Sequence, residues 1–191
     1  MNVKEFFDGM ALKWDKICTH DGSKLRRIME LSAVKKGAKI LDVGTGTGAL
    51  IGCLLELAPS KITALDISDK MIEEAKNKYD DDRVEFIVSD IMDYKGDGFD
   101  YIFLFSVYPH FFDKDSLFKH LYGLMNAGGK IIIAHSKCKE KINEIHQRNA
   151  QIKNDILPSG EITAGIMSRY FKAELVIDNE ELYFISGIKE A

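Results

Sequence analysis

Short apolar runs recurring along the first two-thirds of the chain constrain its fold more than any other feature. "KILDV", "KITALDI", "RVEFIV", "FDYIFLFS" and "KIIIAH" are near-continuous in hydrophobic residues rather than alternating. That is the pattern of sheet strands covered by helices on both faces. "GTGALIGCLLELA", "DKMIEEAKNKY" and "DKDSLFKHLYGLMN" carry helical spacing between them, with Ser68 placed to cap the second and "AGG" as a break before the fifth run. Later, "KEKINEIHQRNAQI" and "ITAGIMSRYF" read as helices around the irregular "KNDILPSGE". "KAELVIDNEELYFISGIKE" reads as two strands about the turn "DNE". At the start, Phe6, Phe7, Met10 and Trp14 mark an amphipathic helix, and Ser23 is expected to cap a second one over about Lys24 to Ala33. The expectation is one α/β domain over residues 1–191, with a helical segment at 1–34 able to serve as a lid.

The glycine-rich turn "DVGTGTGAL" sits between the first strand and its helix, where open α/β sheets bind ligands outside the carboxyl ends of their strands. Two occupants are compatible with its glycines. Gly44, Gly46 and Ala49 satisfy the permissive G-x-G-x-x-A pattern, and Asp66 ends the next strand at the spacing of a ribose-binding acid. A nicotinamide-dependent oxidoreductase is therefore one reading. Asp42 changes the charge balance, because a carboxylate beside the turn opposes a pyrophosphate but suits a ligand carrying an ammonium and a sulfonium. Asp90, in "FIVSDIMD", adds a third acid near the end of the next strand.

In "LDVGTGTG", "ITALDIS", "FIVSDIMD" and "FDYIFLFSVYPHF" the chain closely resembles the class I S-adenosylmethionine-dependent methyltransferases, best from about Lys36 to His135. The resemblance implies a Rossmann-like seven-stranded sheet of order 3-2-1-4-5-7-6, its last-numbered strand antiparallel. It implies S-adenosylmethionine as cofactor. Asp42 and the loop Gly44, Thr45, Gly46 and Gly48 would surround the methionyl part, Asp66 the ribose, Ile67 or Met71 the border of adenine, and Asp90 with Ile91 the adenine ring. A non-catalytic S-adenosylmethionine-binding module would keep the same residues.

For the methyl acceptor, the segment "SVYPHFFDK" is the most informative. Tyr108 and His110 are candidates to orient an acceptor and Phe111 and Phe112 to wall it; His135 and His146 are further candidates at the catalytic rim. Cys138 and these histidines have no zinc-signature spacing, so no metal is expected. The "NPPY" or "DPPY" signature of amino-methyltransferases is absent. With 26 Lys+Arg against 30 Asp+Glu, a net charge of −4 argues against a broad grip on nucleic acid. A small-molecule acceptor is expected, on a monomer or homodimer with no nucleic-acid or membrane partner. Three scattered cysteines and an N-terminus mixing acids and lysines lead to the expectation of a cytoplasmic enzyme without a signal peptide.

Overall fold

The computed structural model describes residues 3–190. Two helices, α1 (Val3–Ile17) and α2 (Gly22–Ser32), precede a strand–helix series: β1 (Lys39–Val43), α3 (Ile51–Glu56), β2 (Lys61–Asp66), α4 (Asp69–Lys78), β3 (Val84–Val88) and β4 (Phe99–Phe105). There follow α5 (Lys114–Leu124), β5 (Met125–His135), α6 (Lys139–Gln147), α7 (Gly160–Met167), β6 (Lys172–Asp178) and β7 (Tyr183–Ile188). The strands form one seven-stranded sheet of order β3-β2-β1-β4-β5-β7-β6. The first five pair in parallel, and β7 runs antiparallel to both β5 and β6. The expected strand order and the antiparallel ending are both present.

Because successive side chains point to opposite faces, each central strand feeds two cores. Leu41, Ile102, Leu104, Ile131 and Ile133 pack with Leu117, Phe118 and Leu121 of α5 on one face. Ile40, Ile62, Phe103 and Ile132 pack with Ile28 of α2 and Leu54 of α3 on the other. Full burial of each such side chain stabilises by roughly 1.5–3 kcal/mol, which explains why the runs lack polar alternation.

Three local differences from the sequence expectations have clear causes. The helix expected from the glycine turn begins only at Ile51, because Gly44, Gly46 and Gly48 all adopt positive φ, which a right-handed helix excludes. Asp21 rather than Ser23 caps α2: its carboxylate accepts from the Ser23 and Lys24 backbone N–H groups. The strand β5 runs back through "AGG" to Met125, with a register shift opposite Phe99–Tyr101. Ser68 caps α4 as expected, accepting from the Met71 N–H.

Candidate active site

A cavity of about 530 Å³ opens at the carboxyl ends of β1, β2 and β4, beneath α1. One wall of it is the glycine turn. The Gly44 and Thr45 N–H groups both donate to the Leu65 carbonyl, which pulls the turn across the end of β2. At Gly44 (φ 67°) a Cβ would lie 2.4 Å from Val107 Cγ2, so only glycine lets the turn and the segment after β4 meet. Gly48 does not line the cavity; a Cβ there would run into Tyr79.

Asp66 braces the turn. One carboxylate oxygen accepts from the Gly46 N–H at 2.8 Å and the other from the Ser68 N–H at 2.8 Å. Burial raises its pKa against the pull of these backbone donors. Asp42 is 2% exposed, and its Oδ2 and the Thr45 hydroxyl are buried with no hydrogen-bond partner among the described residues. Burial, with Asp66 adding repulsion, pushes Asp42 up to about 7. Ile67, Met71, Ser89, Asp90 and Ile91 continue the wall; Asp90 is exposed and accepts from the Met92 N–H at 2.9 Å. Asp42, Asp66, Asp90 and Asp113 line the cavity, while no Lys or Arg among the described residues does. Such a site favours a cation and disfavours a pyrophosphate.

The helix α1 forms the roof through Val3, Phe7, Trp14 and, just beyond its end, Cys18. Polar contacts fasten it to the rim. Thr47 of the glycine turn donates to Asp15, Lys78 pairs with Asp15 at 2.6 Å, and the Ser68 hydroxyl donates to Asp8 at 2.6 Å. Lys4 bridges Asp8 and Asp69.

The opposite end is built by Ser106 to Phe112. Ser106 takes a positive φ of 56°, unusual outside glycine, and its N–H donates to the Ala134 carbonyl of β5 at 2.9 Å. This bend leads into a short 3₁₀ turn, Tyr108–His110, and brings His110, Phe111 and Phe112 to the cavity. His110 Nδ1 lies 2.7 Å from the Asp155 carboxylate, with both side chains almost buried at 9% and 5% exposure. Its ring stacks on His146 (5.2 Å, 26°) and meets Phe7 edge-on (5.3 Å, 80°). His146 Nδ1 bonds the Asp155 backbone carbonyl. The loop carrying Asp155 is clamped by Asn143, whose side-chain amide accepts from the Leu157 N–H at 2.8 Å and donates to its carbonyl at 3.0 Å.

The other acceptor-side candidates lie elsewhere. Tyr108 is fully buried and does not line the cavity; it packs against Phe118, and its hydroxyl has no partner among the described residues. Burial raises its pKa. His135 is 1% exposed, lies against Tyr183 and has both ring nitrogens unpartnered. Burial lowers its pKa to about 3, so the ring is neutral at ordinary pH. His146 stands behind His110 rather than on the cavity. No group of three or more His, Cys, Asp or Glu among the described residues is arranged to hold a metal ion.

Comparison with known proteins bears on this arrangement directly. Residues 34–183 match a family model described as "Methyltransferase domain". The chain belongs to this methyltransferase-domain family. Over 100 residues it is 43% identical to malonyl-[acyl-carrier protein] O-methyltransferase 1 of Ilyobacter polytropus, a match covering 51% of this chain and 37% of that protein. The methyltransferase domain spans between about a quarter and a half of the length of the first curated relatives it matches. Among solved structures, a chain from the complex of the Haloferax volcanii Trm112 methyltransferase activator with a methyltransferase superposes with a TM-score of 0.86 at 17% identity, over 100% of this chain and 98% of that one. The N-methyltransferase NodS from Bradyrhizobium japonicum, solved with S-adenosyl-L-homocysteine, superposes with a TM-score of 0.78 at 12% identity, over 100% of both chains. At these identities the likeness concerns the fold.

Two residues of the site escaped the sequence reading. Asp155 sits in the irregular "KNDILPSGE", preceded by Lys153 and Asn154 and followed by Ile156 and Leu157, with nothing there to mark it as a site residue. His20 lies in the link between α1 and α2, lines the cavity, and bonds Ser136 Oγ at 2.8 Å through Nδ1.

Proposed function

We propose that this chain transfers a methyl group from S-adenosylmethionine to a small-molecule acceptor. The observation that carries the reading is the buried Asp42 carboxylate beside the glycine turn, its Oδ2 without a partner among the described residues, in a cavity with acids on its wall and no described Lys or Arg. A buried carboxylate oxygen without a partner is costly, and a ligand ammonium relieves that cost. The bound cofactor supplies an activated methyl on a cationic sulfur, whose departure leaves a neutral thioether.

The chain's own residues hold and orient. Asp42, Thr45 and the Gly44–Gly46 backbone take the methionyl end, while Gly48 keeps the turn tight against Tyr79. Asp66 has lone pairs left beyond its two backbone donors for the ribose hydroxyls. Ile67, Met71 and Ile91 flank the adenine, and Asp90 stands at its edge. At the acceptor end His110 faces the cavity, with His146, His135 and Tyr108 behind it as packing support. The roof helix α1 serves as the lid, excluding water from the transfer. A partly covered cavity of about 530 Å³ with aromatic residues on its wall suits a small molecule better than a protein or nucleic acid. The three free cysteines accord with a reducing, cytoplasmic setting, and no helix among the described residues is long and apolar enough to cross a membrane.

Titration calorimetry tests the cofactor directly. S-adenosylhomocysteine is expected to bind one to one, with NAD showing no saturable heat; the reverse order overturns the proposal in favour of hydride chemistry. Methyl-group incorporation into any acceptor then separates an enzyme from a non-catalytic binding module.

A further inference from the structure

The chamber beside the donor site has an unusual make-up. Phe7 and Phe111 give it aromatic walls with Phe112 at its exposed rim, no described Lys or Arg lines it, and one polar side chain there is held by a carboxylate: His110, bonded through Nδ1 to Asp155. Phosphorylated or carboxylated acceptors need cationic partners, and this chamber offers none. Planar, uncharged acceptors fit it. An acceptor nitrogen with a free lone pair needs no buried base, whereas a hydroxyl oxygen must lose its proton as it attacks.

Building on the methyl-transfer reading, we infer that His110 is the general base for an uncharged phenolic hydroxyl and that Asp155 is its positioning residue. With Nδ1–H donated to Asp155, Nε2 carries the lone pair and has no protein partner among the described residues. The phenolic proton passes to Nε2 while an oxygen lone pair forms the O–CH₃ bond. The S–CH₃ bond breaks and its electrons neutralise the sulfonium. The products are the aryl methyl ether, S-adenosylhomocysteine and a proton on His110, which the Asp155 carboxylate stabilises until it returns to solvent. A phenol, with a proton affinity near that of a tyrosine side chain, is within reach of an imidazole base; an alkanol is far less so.

The groups around His110 support this assignment. His146, on α6, is stacked against it, and burial lowers its pKa, which disfavours a second positive charge beside His110. Burial keeps His135, on β5, neutral. His20, from the α1–α2 link, is pushed down to about 4 by burial. Lys114, on α5, acts on the Asp155 carboxylate and has its own pKa lowered by burial. Phe7, on α1, brings no charge. The stacked arrangement of His110 and His146, with Asp155 committed to His110, also explains why the cluster does not converge on a metal ion.

The test uses the S-adenosylhomocysteine-loaded protein titrated at pH 7, where an ordinary imidazole is mostly neutral, with 4-nitrophenol, whose phenolate absorbs visible light. Saturable growth of the phenolate band is expected, because His110 accepts the proton. 4-Nitrobenzoate and 4-nitrophenyl phosphate should bind at least about tenfold more weakly, for want of a cation. His110→Phe, which keeps the aromatic packing, should abolish the band while leaving S-adenosylhomocysteine affinity within about twofold. Asp155→Asn should reduce the phenolate fraction about tenfold, the loss expected for one charge-assisted hydrogen bond. A band that persists in His110→Phe, absence of 4-nitrophenol binding, or equal binding of the anionic probes overturns the inference. Failure of S-adenosylhomocysteine to bind at all strikes instead at the methyl-transfer reading beneath it.

Discussion

The two ends of the cavity are built in different ways. The end proposed for the methyl donor is a contiguous device: a glycine turn, the ends of two adjacent strands, and acids that stand at or near strand ends, Asp42 within β1, Asp66 closing β2 and Asp90 just past β3. The end proposed for the acceptor is assembled from the Ser106–Phe112 bend, the α1–α2 link, α6 and the loop to α7. Backbone does much of the work in the first, so its chemistry is tied to glycine positions and main-chain N–H groups. Side chains do it in the second, so its chemistry changes as individual residues change. A fold can therefore retain one cofactor while its acceptor specificity is rebuilt residue by residue.

The largest effect is expected where the two ends touch. Gly44→Ala places a Cβ against Val107 at a φ of 67°; strain at such a position costs about 1–3 kcal/mol. S-adenosylhomocysteine affinity should fall more than about 100-fold, since the displaced turn is the ligand's seat. Denaturant unfolding and calorimetry on the same sample separate the two losses. Retained binding would show that the donor end does not depend on this turn.

Asp42→Asn sharpens the contrast between stability and ligand binding. Folded Asp42 has its pKa raised to about 7, so between the ordinary carboxylate range and about pH 7 the folded chain holds a proton that the unfolded chain has released. Stability of the ligand-free protein therefore falls as pH rises through that window. The asparagine should remove this slope and raise the melting temperature at pH 7, yet weaken S-adenosylhomocysteine about 10- to 100-fold by loss of a charge-assisted contact. In the native protein, binding at pH 6 should release a proton, an effect fading above pH 7. Calorimetry in buffers of different ionisation enthalpy reads it, and a pH-independent heat would mean that Asp42 does not meet the ammonium.

The smallest effect belongs to the roof. Asp15→Ala removes the contacts to the buried Thr47 hydroxyl and to Lys78. An exposed ion pair such as Lys78–Asp15 contributes under about 1 kcal/mol, and a single neutral-donor hydrogen bond to Thr47 about as much again. About threefold weaker S-adenosylhomocysteine binding is expected, with the unfolding midpoint nearly unchanged. A tenfold loss would make the roof an integral part of the donor end.

Legibility in the sequence follows the same division. The central strands β1, β2, β4 and β5 were readable because burial on both faces leaves continuous apolar runs. The edge strands β3 and β6 have no fully buried residue and were readable from their β-branched and aromatic residues and, for the antiparallel pair, from the turn "DNE". Asp42, Asp66 and Asp90 were visible because each stands at or just beyond a strand end, where position in sequence is position in space. Tyr108 and His110 are two residues apart, and a 3₁₀ turn sends one into the core and the other to the cavity. No periodicity in "SVYPHFF" distinguishes them. Asp155 was invisible for a stronger reason: its meaning arises only when α6 folds back over the 3₁₀ turn, and contact across 45 positions leaves no local trace.

The position of α1 links events at the two ends of the cavity. This single helix of 15 residues sets Trp14 beside Gly46 and Phe7 edge-on against His110. Any displacement that one ligand imposes on the helix is felt at the seat of the other. Thermodynamic reciprocity then fixes the sizes: the factor by which an occupied donor seat alters acceptor affinity equals the factor by which the acceptor alters donor affinity. Ligands at the proposed donor and acceptor ends would then be partners in one binding equilibrium rather than neighbours that fill independently.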